Sequence, residues 1–216
     1  MIRKCFISGL LLLAQQIIYC QVIQPDLQDT TQWKVVNRKV QSIDENGKKG
    51  IMFNEVPDEG FMILKDADFS NGIIECDIKG SSKMQRSFVG IAFHGQDVTH
   101  YDVVYFRPFN FNSDDAVRRS HSIQYISSPD YGWEKLRNEF PGKYENKITA
   151  PPGADDWFHA KIVVDGKMIF VFVNGETQPS LQVEKLNSNN NGGIALWVGD
   201  NSAGSFANLK IYNKKE

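Results

Sequence analysis

The sequence predicts an all-β fold, a sandwich of two antiparallel sheets. Apolar and polar residues alternate with period two along most of its apolar runs, while helical periodicity is scarce. Turn residues separate the runs at short intervals, as in Asn46-Gly47 and Asn174-Gly175. A length of 216 residues suits one large sandwich, and neither a repeat nor a linker divides it. Residues 33–36 form a first strand, and the turn 44–50 leads into 50–53. Residues 60–64 follow, then 72–79 after Asp68-Phe69-Ser70-Asn71. Residues 87–94 are apolar on both faces, as in a central strand. Residues 101–107 and 122–127 come next. Residues 133–140 form a short helix in an inserted loop, stopped by Pro141-Gly142. Strands at 157–165, 168–173, 181–186, 193–198 and 206–212 close the fold.

Residues 1–20 read as a signal peptide, leaving 21–216 as a single domain. Arg3 and Lys4 precede an apolar run from Phe6 to Ala14, which Gln15 and Gln16 end. That run is too short to span a bilayer, and no later stretch is long and apolar enough to do so. The expectation is therefore export to the periplasm, the cell surface or the medium. Cys20 is a candidate lipid-carrying residue, although Tyr19 stands where a lipoprotein signal wants a small side chain. The chain carries 24 basic and 26 acidic residues with no basic patch, so nucleic acid is not an expected partner. Arg118-Arg119 is read as a solvated loop. Cys76 alternates with Ile74 and Ile78 and is read as a small buried apolar residue.

Three stretches carry a family resemblance. They are residues 71–78, residues 156–175 with Trp157 and Asn174-Gly175, and residues 192–211 with Gly192-Gly193 and Trp197. In that order they resemble the concanavalin A-like lectin/glucanase superfamily, and within it the 3-keto-disaccharide hydrolase and laminin-G-like domains. The resemblance implies a jelly roll whose concave sheet holds sugar, with Trp157 plugging one end of the core. It also implies polysaccharide-utilising relatives and glycosidic-bond hydrolase or lyase chemistry. Retaining glucanases of the superfamily alternate Glu, Asp and Glu on one strand to set nucleophile and acid at the required separation. Here Glu75 and Asp77 are followed by Lys79, so that mechanism is not expected.

Residues 93–144 are dense in groups suited to sugars. Tyr and Trp offer flat apolar faces, and Arg, Asn and Gln offer hydrogen bonds to hydroxyls. Alternation puts Tyr101, Val103, Tyr105 and Arg107 on one face. The expected sugar-binding residues are Tyr101, Tyr105, Arg107, Asn110, Gln124, Tyr131 and Trp133. His94, at a strand end, and Glu134 and Glu139, in the helical loop, are the candidate acid–base residues. His94, Asp97 and His100 match no metal-ligand spacing, so no metal or cofactor is assigned. A structural calcium has weak candidate ligands in Asp155, Asp156, Asp200 and Asn201. Carbohydrate is the expected partner. The functional readings are a 3-keto-glycoside-type hydrolase, a non-catalytic carbohydrate-binding module, and a laminin-G-like protein-binding domain.

Overall fold

A computed structural model describes residues 20–214, so the signal-like start before Cys20 lies outside the described residues. The strands are β1 (Cys20–Ile23), β2 (Trp33–Val36), β3 (Val40–Glu45), β4 (Lys48–Phe53), β5 (Gly60–Leu64), β6 (Gly72–Lys79), β7 (Val89–Gly95) and β8 (Tyr101–Phe106). They continue as β9 (Ile123–Ser128), β10 (Glu145–Asn146), β11 (Trp157–Asp165), β12 (Met168–Val173), β13 (Leu181–Glu184), β14 (Gly193–Val198) and β15 (Gly204–Lys214). Two short helices, α1 (Ala116–Ser120) and α2 (Trp133–Glu139), lie on the loops.

The strands form two antiparallel sheets. One runs β13-β12-β11-β6-β15-β4-β3, with β1 paired to β15; the other runs β10-β9-β8-β7-β14-β5-β2. The order interleaves strands distant in sequence, the jelly-roll pattern in which both sheets must form together. Alternation explains the layers. On β11, Phe158, Ala160, Ile162 and Val164 are buried, while Trp157, His159 and Lys161 face outward. On β8, Val104 and Phe106 turn inward and meet the other sheet, where Phe106 and Phe158 stand 4.9 Å apart edge to face. Cys76 is fully buried on β6 between Ile74 and Ile78, as alternation requires. The β3–β4 hairpin closes through Asn46-Gly47, both at positive φ, which a type I′ turn demands.

The structure adds elements that periodicity missed. β3 and β10 are short or polar strands. Helix α1 includes Arg118 and Arg119, which were expected in a loop. Trp157 does not plug the core; it sits half-buried on the outer face, with Lys48 5.8 Å from its ring centre. Glu75 and Asp77 do face outward, but Asp77 is covered. Its carboxylate accepts from Lys48 Nζ at 2.5 Å, His159 Nδ1 at 2.8 Å and Asn208 Nδ2 at 2.7 Å. Among the described residues, no helix is long and apolar enough to cross a membrane.

Candidate functional site

The outer face of the β10–β2 sheet carries a cavity of about 770 Å³. The alternation of β8 sends Tyr105 outward, and Arg107 follows on the same face just past the strand end. Opposite them β7 contributes Gly90, where a Cβ would stand 2.3 Å from the Val104 carbonyl oxygen. Arg107 is 5% exposed. Burying a guanidinium is costly unless it is neutralised and hydrogen-bonded. Here Nη1 donates to the His121 carbonyl at 2.9 Å, and Nη2 donates to the Tyr105 hydroxyl at 2.6 Å and to Gln124 Oε1 at 2.5 Å. The Tyr105 and Phe88 rings lie 4.8 and 5.8 Å from its Cζ. The planar fork is fixed before any ligand arrives.

Its countercharge is Glu145, on the two-residue strand β10 at the sheet edge. Glu145 is buried and faces two guanidinium groups and one imidazole. Oε2 lies 2.7 Å from His121 Nδ1, 2.9 Å from Arg137 Nη2 and 3.8 Å from Arg107 Nη1. The His121 contact is close but not aligned as a hydrogen bond. His121 caps the C-terminus of α1, and its side chain reaches the cavity. With Nδ1 turned to Glu145, Nε2 is the nitrogen left to address a ligand. Burial lowers the His121 pKa; the Glu145 charge opposes that, and the Arg137 and Arg107 charges reinforce it. The ring is therefore held neutral near neutral pH, with a free basic nitrogen in a cavity.

Helix α2 supplies the rim. Trp133, half exposed, opens the helix, and the Arg137 guanidinium carbon sits 5.2 Å from its ring centre. Arg137 also reaches Glu145 with Nη2 and, at 3.3 Å, with Nε. One arginine thus ties the exposed indole to the buried carboxylate. Asn110, 5% exposed, accepts from Arg118 Nε at 3.3 Å. The far wall carries Glu59, Asp200 and the buried indole of Trp197, whose ring centre lies 5.2 Å from that of Tyr105. Glu59 accepts a hydrogen bond from the Tyr101 hydroxyl. Together the lining offers aromatic faces, fixed cations, carboxylates and one neutral imidazole.

The expected residues divide sharply. Tyr105, Arg107, Asn110 and Trp133 line this cavity, and Gln124 holds Arg107 from beneath. Tyr101 shares their face but lines a second cavity. Tyr131 does not line the main cavity; Lys135 Nζ sits 4.7 Å from its ring centre. Glu134 and Glu139 are exposed on α2, outside the lining. They occupy solvent-facing helical positions, whereas Arg137 and buried Leu136 turn inward. His94 is not at the mouth of a site. A bulge sets Phe93 and His94 together opposite Ile194, and His94 takes φ +52. The bulge turns the imidazole into the interior at 1% exposure. There Nδ1 lies 3.2 Å from buried Asp102 Oδ2, and Nε2 lies 2.8 Å from the Ser70 carbonyl. Asp97 and His100 pair with each other on an exposed turn, away from it. Asp155 accepts from Ser82 N, and Asp200 accepts from Asp58 N and Asn201 Nδ2. Among the described residues no group of three or more His, Cys, Asp or Glu is placed to hold a metal. Sequence reasoning missed the roles of Glu145, His121, Arg137 and Trp197. His121 and Arg137 did fall inside the sugar-suited segment, but only the fold brings them to Glu145.

Comparison with known proteins agrees with this architecture. The family model of the 3-keto-alpha-glucoside-1,2-lyase-like domain matches residues 26–212. The carbohydrate-binding module CBM66 from Bacillus subtilis is similar in structure at TM-score 0.61 and 14% identity, over 83% of this chain and 95% of that one. A Bacillus subtilis protein with a galectin-like fold gives TM-score 0.60 at 13% identity, over 90% and 96%. Domain 4 of AbnA, an extracellular arabinanase from Geobacillus stearothermophilus in complex with arabinotriose, gives 0.52 at 16%, over 88% and 87%. No curated protein matches the chain by sequence.

Proposed function

The chain belongs to the family of 3-keto-alpha-glucoside-1,2-lyase-like domains, and from that premise we propose that it cleaves glycosides oxidised at carbon 3, with His121 as the base. A ketone at C3 acidifies the hydrogen on C2. His121 Nε2 takes that proton, and the electrons of the C2–H bond pass into an enolate with the C3 carbonyl. Collapse of the enolate forms the C1=C2 double bond and breaks the bond from C1 to the glycosidic oxygen. The leaving oxygen then takes up a proton, from the imidazolium or from water. Water adding across the new double bond would make the net result a hydrolysis. In this reading Arg107 supplies a fixed positive charge beside the enolate oxygen, since a preformed cation needs no reorganisation. Trp133 gives the sugar ring an apolar face to rest on.

One observation carries this reading: an imidazole lining a cavity, set against a buried carboxylate and flanked by a fixed guanidinium. The test uses 3-keto-glucosides deuterated at C2. The expected result is release of the aglycone with loss of deuterium, falling by about 10²- to 10⁴-fold in His121→Ala, the range for a general base. Release that keeps the C2 deuterium, or that survives His121→Ala, would overturn it. Trp133, half exposed on the rim, also suits a module that binds sugar without turnover. Glycan affinity with no product from any 3-keto-glycoside would favour that second reading. We further propose export, on the basic and apolar start at residues 3–14; recovery of the protein only in the cytoplasmic fraction would refute it.

A further inference from the structure

We infer that the same sheet face carries a second saccharide subsite, so that the ligand is a glycan of several rings and not a single sugar. This rests on the carbohydrate reading of the main cavity, though not on its chemistry. The second cavity is about 350 Å³. Its floor is apolar: Phe61, Ile63, Ala92, Ala195 and Tyr101. Its rim is polar, with Lys34, Gln96 and Asp97. An apolar floor under a polar rim matches a sugar ring, whose CH face is apolar and whose edge bears hydroxyls.

Its placement ties it to the first cavity. Both open on the outer face of the β10–β2 sheet, towards opposite ends of β8. Tyr105 lies in one and Tyr101 in the other, about 13 Å apart along an extended strand. That is wider than one sugar ring. Tyr101 reaches from one cavity towards the other. Tyr101 belongs to β8, yet its ring packs edge to face on Phe61 of β5 at 5.3 Å between centres. Two strands, β7 and β14, intervene. The ring must therefore lean across the face, above the paired residues Ala92 and Ala195, whose small side chains leave it room. Its ring lines the second cavity, while its hydroxyl donates to Glu59 of the first. One chain of sugars passing over Tyr101 would touch both.

The test is a titration with α- and β-linked gluco-oligosaccharides of one to four rings. The affinity is expected to rise by about tenfold at the ring that reaches the second cavity. Val98→Trp fills that cavity from an exposed turn remote from His121. It should abolish this rise and leave one-ring affinity unchanged. If Val98→Trp lowers the melting temperature, Lys34→Ala on the exposed rim is read instead, and a reduced rise is expected. A flat ladder, or a rise untouched by both variants, overturns the proposal. The two readings fail separately. A ladder sensitive to Val98→Trp without cleavage of 3-keto-glucosides sinks only the lyase chemistry. His121-dependent cleavage with a flat ladder sinks only the second subsite.

Discussion

Glu145 shows how much a single side chain organises here. It is buried at a sheet edge and neutralises Arg107 and Arg137 while touching His121. Glu145→Gln removes the one charge that favours the imidazolium, so the already lowered His121 pKa falls further. A base that must be neutral then stays neutral to lower pH. The acid limb of kcat/KM is expected below the ordinary histidine value near 6.5, and lower still in the variant. The plateau rate should fall roughly 100-fold, because the imidazolium formed on proton transfer loses the negative charge that faces it. Stability should drop as well, by about 3–5 kcal/mol, since two arginines lose a buried countercharge. An acid limb that moves upward in Glu145→Gln would contradict this assignment. Cys76 illustrates the opposite case. Burial, with the adjacent Asp77 charge, pushes its thiol far up. It should resist alkylation in the native protein and react fully only after unfolding.

At the scale of elements, local irregularities decide what each strand presents. The β7 bulge removes His94 from the outer face and lodges it against Asp102. The helix-loop between β9 and β10 carries Trp133 and Arg137 over the sheet edge. Small residues on β7 and β14 make the lane that Tyr101 crosses. Ala92→Leu would crowd that lane, so Tyr101 must move off Glu59. Overpacking of this kind costs about 1–3 kcal/mol. The expected outcome is a lower melting temperature together with a displaced Tyr101 ring in a crystal structure of the variant. A Tyr101–Glu59 contact retained in that structure would refute the crossing geometry.

The whole molecule depends on the two sheets closing on each other. Phe158 of one sheet packs against Phe106 of the other and against Phe111 at 5.5 Å. Phe158→Ala should cost about 3–5 kcal/mol in denaturant unfolding, with one cooperative transition retained. A loss under 1 kcal/mol would mean that the sheets do not rely on this contact. Asp77 adds a dependence on pH. Burial alone would raise its pKa, but hydrogen bonds from His159, Lys48 and Asn208 hold it well below the carboxylate range. A depressed folded-state pKa stabilises above the unfolded value near 3.9 and loses that contribution as pH falls. Asp77→Asn should therefore lower the melting temperature at neutral pH, with the gap to the unaltered protein closing below about pH 4.

Particular residues show how far the sequence could be read. Alternation alone placed Ile74, Cys76 and Ile78 inside, and set Tyr101, Tyr105 and Arg107 on one face. Composition in the segment from Phe93 to Tyr144 singled out Arg107, Asn110 and Trp133, which the structure brings together in the main cavity. Those are local properties, because a strand's two-residue period is written in consecutive side chains. The same period misplaced His94, since a bulge depends on pairing with β14, about a hundred positions away. It also passed over Glu145, whose two-residue strand carries no periodic signal. The sequence by itself determined an all-β sandwich and singled out a stretch of chain that supplies much of the main cavity's lining. Only the tertiary structure decided which histidine enters the cavity and which carboxylate backs it, because α1, α2, β8 and β10 meet at one sheet edge only after the strands have paired.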